Sequence, residues 1–299
     1  MNTSLLRSDG LWVALATPFH HDSRLDLQAY RSLTARCTAG GVDGLLALGS
    51  TGEAATLDDE ERDRTVAACL EAADGRPVMV GTGSNDTRQA VYQTQRAQAV
   101  GAAAALVVTP YYNKPNADGL VAHFETVADA APGFPIVVYN VPGRTGQNLT
   151  PEVLGRLWQI PQVVAIKESS GDLMQIDRIV RDLPPDKVVL AGDDALALPA
   201  IALGAEGLVS VAANLEPAAL RRLVDTARAG QLAEARAVHV ALMPLIDALF
   251  VESNPVPLKA ALALRGETTD TVRPPLARAS SDTRLHLASL LDALSQEAA

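Results

Sequence analysis

Short, almost uninterrupted apolar runs recur along the chain, each followed by a longer stretch with helical spacing. This alternation limits the fold more than any other feature of the sequence. The runs cover residues 11–19, 44–49, 77–83, 105–111, 136–141, 163–167, 188–192 and 207–211. A strand with one wet face alternates apolar and polar residues; these runs do not, so they predict parallel strands covered on both faces. The intervening segments carry helix punctuation. Segments 26–39 and 58–73 start on acids and end near glycine, and Thr150-Pro151-Glu152 supplies a cap, a first-turn proline and a first-turn acid. Between the last two runs only 196–203 has helical spacing.

Eight such units with right-handed crossovers close into a barrel. The competitor, a doubly wound open sheet, should place a glycine-rich phosphate turn after its first strand. Thr17-Pro18-Phe19 is no such turn, and neither GxGxxG nor the P-loop pattern occurs. The expectation is an α/β chain with a (β/α)8 TIM barrel over residues 1–225 and a C-terminal helical extension over 226–299. The extension should pack on the barrel rather than fold apart, with Pro244, Pro255, Pro257 and Pro274-Pro275 as helix breaks.

Composition removes several classes of function. A net charge of −10 and a pI near 5.0 leave no basic stripe for nucleic acid. No apolar stretch reaches membrane-spanning length unbroken, and residues 1–10 lack the basic start and apolar run of a secretory signal. Cys37 and Cys69 are too few for a disulfide framework, which fits a reducing cytoplasm. No metal is expected: His20, His21, His123, His239 and His286 form no ligand-spaced cluster, and Asp193-Asp194 alone is weak. No GxSxG elbow supports a serine triad. The acidic segment 57–63 reads as a solvated helix start.

A barrel of this kind carries its active site at the C-terminal ends of the strands. Those ends hold Thr17, Ser50-Thr51, Thr82, Thr109 with Tyr111-Tyr112, Tyr139 with Arg144, Lys167-Glu168, Gly192-Asp193-Asp194 and Ser210, while the opposite ends are plainly apolar. Lys167 is one of only four lysines, and Lys114, Lys187 and Lys259 read as solvated or structural. Two readings stand for Lys167. It can snorkel to the rim or pair with Glu53 or Glu168. Alternatively it is a desolvated amine with a neutral fraction able to attack a ketone. Tyr139, at the end of the neighbouring strand, is either a core aromatic with a bonded hydroxyl or a proton relay. Ser50 lies in a Gly-Ser-Thr-Gly-Glu turn that is either a tight loop or a cradle for a carboxylate. Arg144, between two glycines, is a solvated charge or a bidentate carboxylate clamp.

Seven motifs in order extend this picture: GSTGEAATL at 49–57, VGTGSN at 80–85, VTPYYNKP at 108–115, YNVPGRTG at 139–146, IKESSGD at 166–172, AGDDALAL at 191–198 and LFVESNPVPLKAAL at 249–262. On these the chain resembles the dihydrodipicolinate synthase/N-acetylneuraminate lyase family, from Val13 to about Leu264, and within it the synthase branch. The resemblance implies that Lys167 condenses with pyruvate, and that the resulting enamine attacks L-aspartate 4-semialdehyde in lysine and diaminopimelate biosynthesis. It implies a proton relay of Tyr139, Ser50 and Tyr112, with Tyr112 reaching in from a neighbouring subunit of a homotetramer. Ser50 and Thr51 would hold the pyruvate carboxylate, Arg144 would bind that of the aldehyde, and Gly192 and the Val209 carbonyl would line the pocket. No cofactor is implied, since the lysine is the electron sink.

Two departures stand out. Synthases mostly carry threonine where this chain has Ser50, as the lyase branch carries serine; Arg144 marks the synthase. A paralogue acting on another aldehyde or a keto-deoxy sugar acid is the alternative. At the position where sensitive members bind feedback lysine, Asn85 and Tyr111 match, but Asp59, Arg62 and Gln89 replace histidines and a glutamate. Weak or absent lysine inhibition is the expectation.

Overall fold

The computed structural model describes residues 9–297. All eight apolar runs contain a strand: β1 (Gly10–Ala14), β2 (Gly44–Ala47), β3 (Val78–Gly81), β4 (Ala104–Val108), β5 (Ile136–Asn140), β6 (Val163–Glu168), β7 (Val188–Ala191) and β8 (Gly207–Ser210). Each pairs in parallel with the next, and β1 pairs with β8, so the sheet closes into a barrel. Several strands are shorter than the runs that announced them. Residues 15–19, for example, lie beyond the end of β1. The stretch 1–8, read above as free of a secretory signal, lies outside the described residues. Among the described residues no helix is long and apolar enough to cross a membrane.

The near-continuous apolarity has a direct cause. Leu11, Val13, Leu45, Val80 and Val107 face outward into the layer between sheet and helices. Trp12, Leu46, Met79, Leu106, Leu190 and Val209 face inward and fill the lumen. The lumen is therefore a packed core rather than a channel. Gly44 has no side chain because Trp12 occupies its place: a Cβ there would lie 2.4 Å from the indole.

Helices α1 (Leu27–Ala39), α2 (Asp59–Ala72), α3 (Thr87–Ala99), α4 (Ala117–Ala130), α5 (Pro142–Thr145), α6 (Pro151–Leu157), α7 (Leu173–Arg181), α8 (Ala197–Leu203) and α9 (Pro217–Arg228) complete the barrel units. Asp26 caps α1 through the Ala29 N–H at 2.9 Å, and Thr150 caps α6 as its sequence predicts. Asp58 opens α2 in a reciprocal capping box with Glu61. The acids of this segment are not simply solvated, as their composition suggested. Arg273 pairs with Glu61, and Arg96 with Asp59 and Asp63.

The extension comprises α10 (Leu232–Leu249), α11 (Val256–Leu264) and α12 (Ser281–Glu297). It packs through α10 on α9 and through α12 on α10 and α11. Pro244 does not break its helix, contrary to expectation, but sits inside α10. A helical proline leaves the carbonyl four residues earlier without its donor. Here that residue is Val240 on the exposed face, where water can take the carbonyl. Pro257 falls in the first turn of α11, where no N–H bond is lost.

Candidate active site

The pairing of β5 with β6 contains a register shift. Ile136 faces Val163, but Val137 faces Ala165 and Tyr139 faces Lys167, so β6 carries one extra residue. In an unbroken strand Lys167 would share the face of Val163, which packs outward against the helices. The bulge inverts that parity. Val164 and Ala165 both lie on the lumen side, Ile166 turns outward, and Lys167 enters the lumen. Its Nζ lies 4.2 Å from the centre of the Tyr139 ring. Both side chains are buried, each 6% exposed.

Neither carboxylate that could have neutralised Lys167 does so. Glu53 pairs with Lys259. Glu168 accepts from Asn140 Nδ2 at 2.9 Å, from the Ser170 N–H at 2.7 Å and from Gln175 Nε2 at 3.3 Å. Burial raises the Glu168 pKa despite these donors. Because Asn140 follows Tyr139 and Glu168 follows Lys167, this bond ties the two strand ends together beside the pair. Gly192 at the end of β7 leaves the room Lys167 needs: a Cβ there would stand 2.9 Å from its Cε.

After β2 the chain makes a single 3₁₀ turn, Ser50–Gly52, and Glu53 then takes the left-handed conformation with φ 50°. Thr51 is buried, and its Oγ1 accepts from Asn254 Nδ2 at 2.9 Å. Arg144, in α5, donates from Nη2 to the Asn254 carbonyl at 3.0 Å. Asn254 thus joins the two regions assigned to carboxylate binding, and its own Oδ1 is buried without a partner. A cavity of about 520 Å³ opens here, with Ser50, Tyr139 and Arg144 on its wall together with Tyr111, Arg62 and Gln89. Lys167, Thr51, Gly192 and Val209 are not on that wall; Val209 is part of the packed lumen.

Tyr112 does not reach the cavity of its own chain. It is 88% exposed on a backbone with φ 70°. Asn85 is also off the wall, where its carbonyl accepts from Asn113 Nδ2 at 2.8 Å. Arg62 is no free cation: its guanidinium donates to Gln93 Oε1 and to the carbonyls of Ala54 and Gly81. Other rim residues turn out to hold structure. Thr17 bonds the Gly52 carbonyl at 2.8 Å, and Asp194 accepts from Ser210 and the Val211 N–H. Among the described residues no group of three His, Cys, Asp or Glu side chains could hold a metal ion. The sequence reading missed Asn140 and Asn254, and offered Glu53 only as a partner for Lys167. The only available signal for the first two was adjacency in the chain, to Tyr139 and to the NPVP segment.

A profile described as the Dihydrodipicolinate synthetase family matches residues 7–294. The chain is 46% identical to the 4-hydroxy-tetrahydrodipicolinate synthase of Methanoculleus marisnigri, over 90% of this chain and 93% of the relative. It is 48% identical to the enzyme of that name from Thermomicrobium roseum, over 94% and 93%. The crystal structure of dihydrodipicolinate synthase from Thermotoga maritima superposes with a TM-score of 0.93 at 40% identity, covering 96% of this chain and 98% of that one.

Proposed function

Since the chain belongs to the dihydrodipicolinate synthetase family, we propose that Lys167 forms a Schiff base with pyruvate and that the enamine derived from it attacks L-aspartate 4-semialdehyde. The protein acts as a 4-hydroxy-tetrahydrodipicolinate synthase, a pyruvate-dependent aldolase-type lyase of lysine and diaminopimelate biosynthesis. The observation that carries the Schiff-base step is the setting of Lys167: a buried amine with no carboxylate partner among the described residues, its Nζ 4.2 Å from the ring centre of Tyr139.

The amine of Lys167 adds to the pyruvate ketone, and water leaves as the imine forms. Loss of a methyl proton gives the enamine, whose carbon bonds to the aldehyde carbon, while the aldehyde oxygen takes up a proton as a hydroxyl. The amino group of the second substrate then displaces Lys167 from the imine carbon and closes the ring. Protons must be delivered and removed at each stage, and Tyr139 takes this role; what supports it is the packing of its ring 4.2 Å from the amine. Ser50 extends the relay along the cavity wall, and Ser50 with Thr51 holds the pyruvate carboxylate. Arg144 clamps the carboxylate of the aldehyde substrate. Gly192, which leaves room beside Lys167, and the Val209 carbonyl would line the pyruvate site, although neither is on the wall of the open cavity. No cofactor enters, because the iminium is the electron sink.

Tyr112 completes the relay in a neighbouring subunit of a homotetramer; what supports this is a large aromatic held 88% exposed on a left-handed backbone. The barrel, residues 1–225, and the extension, 226–299, act as one catalytic unit in the cytoplasm. Borohydride reduction with pyruvate tests the central claim. One 1-carboxyethyl adduct, the reduced imine, should appear at Lys167, and its absence ends the Schiff-base reading. Rates with aspartate semialdehyde set against N-acetylneuraminate and short keto-deoxy acids test the choice of aldehyde.

A further inference from the structure

Glu53 and Lys259 form an ion pair next to the turn that carries Ser50 and Thr51. Both side chains are 1% exposed. Glu53 uses one carboxylate oxygen for Lys259 Nζ and the other for the Arg273 N–H, at 2.9 Å. Lys259 also donates to the Thr271 carbonyl at 2.8 Å, and its Nζ stands 4.0 Å from the centre of the Phe19 ring. Burial pushes the Lys259 ammonium down from the usual lysine range to about 8, against the opposing pull of Glu53.

A buried ion pair contributes little net stability compared with apolar residues of the same volume. Its recurrent use is to fix one geometry, and here the geometry is specific. Glu53 ends the 3₁₀ turn Ser50–Gly52 in a left-handed conformation that a residue with a Cβ disfavours. Something must hold it there. Thr17 holds the Gly52 carbonyl and Arg62 the Ala54 carbonyl, and the remaining holders come from the C-terminal extension: Lys259 from α11, Asn254 from the residue pair that precedes it, and Arg273 from the segment that follows. The extension therefore grips the turn twice, at Thr51 Oγ1 and at the Glu53 carboxylate, on either side of Gly52.

We propose that the Lys259–Glu53 pair is a positioning device of the active site, through which the C-terminal extension sets the Ser50 and Thr51 hydroxyls for the carboxylate of pyruvate. This rests on the assignment of those hydroxyls to pyruvate. Neither Lys259 nor Glu53 touches the reacting atoms; both act through the turn.

Two variants of the full-length enzyme test it. Lys259→Met leaves a buried carboxylate without its cation, and Glu53→Gln combined with Lys259→Met removes both charges. Relative to Lys259→Met, the double variant regains thermal stability but not function. In both, the KM for pyruvate rises tenfold or more, the KM for the aldehyde stays within threefold, and borohydride still places the adduct on Lys167. Leu120→Ala, which hollows the packing of α4 on the far side of the sheet, should lower Tm and leave the pyruvate KM unchanged. A double variant whose Tm recovers and whose pyruvate KM lies within twofold of the wild type overturns the proposal, as does an equal rise in Leu120→Ala. If Lys259→Met does not fold, Glu53→Gln decides alone. One of its two acceptors becomes a donor facing Lys259 or the Arg273 N–H, so a pyruvate KM raised threefold or more supports the proposal and an unchanged one overturns it. Absence of an adduct on the wild-type enzyme would instead overturn the Schiff-base reading itself.

Discussion

Tyr139 and Lys167 are register partners on adjacent strands only because β6 holds one residue more than β5 over the same span. The bulge at Val164 carries two consecutive side chains into the lumen and so turns the lysine inward, within 4.2 Å of the phenol ring centre. The amine and the tyrosine are thus fixed by backbone hydrogen bonding rather than by a loop, which restricts how far either can drift during the reaction.

Tyr139→Phe isolates the proton-transfer role within that pair. The ring that packs against Lys167 stays, and only the hydroxyl is lost. A positioned general acid or base contributes about 10² to 10⁴ in rate, so kcat should fall by that factor while the fold and the Tm are kept. Adduct formation with pyruvate should slow but remain at Lys167. A variant with kcat within threefold of the wild type would remove Tyr139 from the relay.

Arg144→Ala bears on the second substrate. The guanidinium lies on the cavity wall and is anchored to the Asn254 carbonyl. A charged hydrogen bond to a carboxylate is worth about 1.5–3 kcal/mol, or roughly ten- to a hundredfold in kcat/KM for aspartate semialdehyde. Pyruvate trapping should be little affected. Equal losses for the two substrates would show that Arg144 shapes the site as a whole instead of reading the aldehyde.

The barrel was legible because parallel strands buried on both faces leave unbroken apolar runs, and nothing else in this composition does. Lys167 and Tyr139 were legible for a related reason, a rare lysine and a tyrosine ending two consecutive runs. The parity of Lys167 was not. The bulge depends on how β5 and β6 pair, and Val163-Val164-Ala165 reads as an ordinary strand. The contacts that hold the site are equally silent in the sequence: Asn254 meets Thr51 across 203 residues, and Asn140 meets Glu168 across 28. Pro244 misled because proline breaks a buried helix face but is tolerated where the freed carbonyl meets water.

Feedback by lysine should be weak or absent. Arg62 and Gln89 share the cavity wall with Tyr111, so a guanidinium fixed by Gln93 and two backbone carbonyls would repel an ammonium brought to this wall. The Asp59 carboxylate on the same wall offers no relief. Asp59 Oδ1 accepts from Gln93 at 2.8 Å, and Oδ2 lies 3.3 Å from Arg96. Rates in a coupled assay with millimolar L-lysine should match those without it. A micromolar inhibition constant would sink this expectation.

Acid stability should depend on His123, a residue outside the site. It lies on α4 with 4% exposure, its Nδ1 2.9 Å from Thr87 Oγ1 and its Nε2 buried without a partner. An imidazolium needs an acceptor at both nitrogens, and burial accordingly pushes the pKa from 6.5 down to about 4. Between those values the unfolded chain binds a proton that the native state refuses, so acidification favours unfolding. The contribution is fully present above pH 6.5 and is lost as pH falls toward 4, to a limit of about 3 kcal/mol. His123→Gln keeps a partner for Thr87 and cannot titrate. Its Tm should fall less steeply than that of the wild type between pH 6.5 and 4, the two profiles running parallel above that window. Parallel profiles throughout the acid range would assign the acid sensitivity to the carboxylates instead.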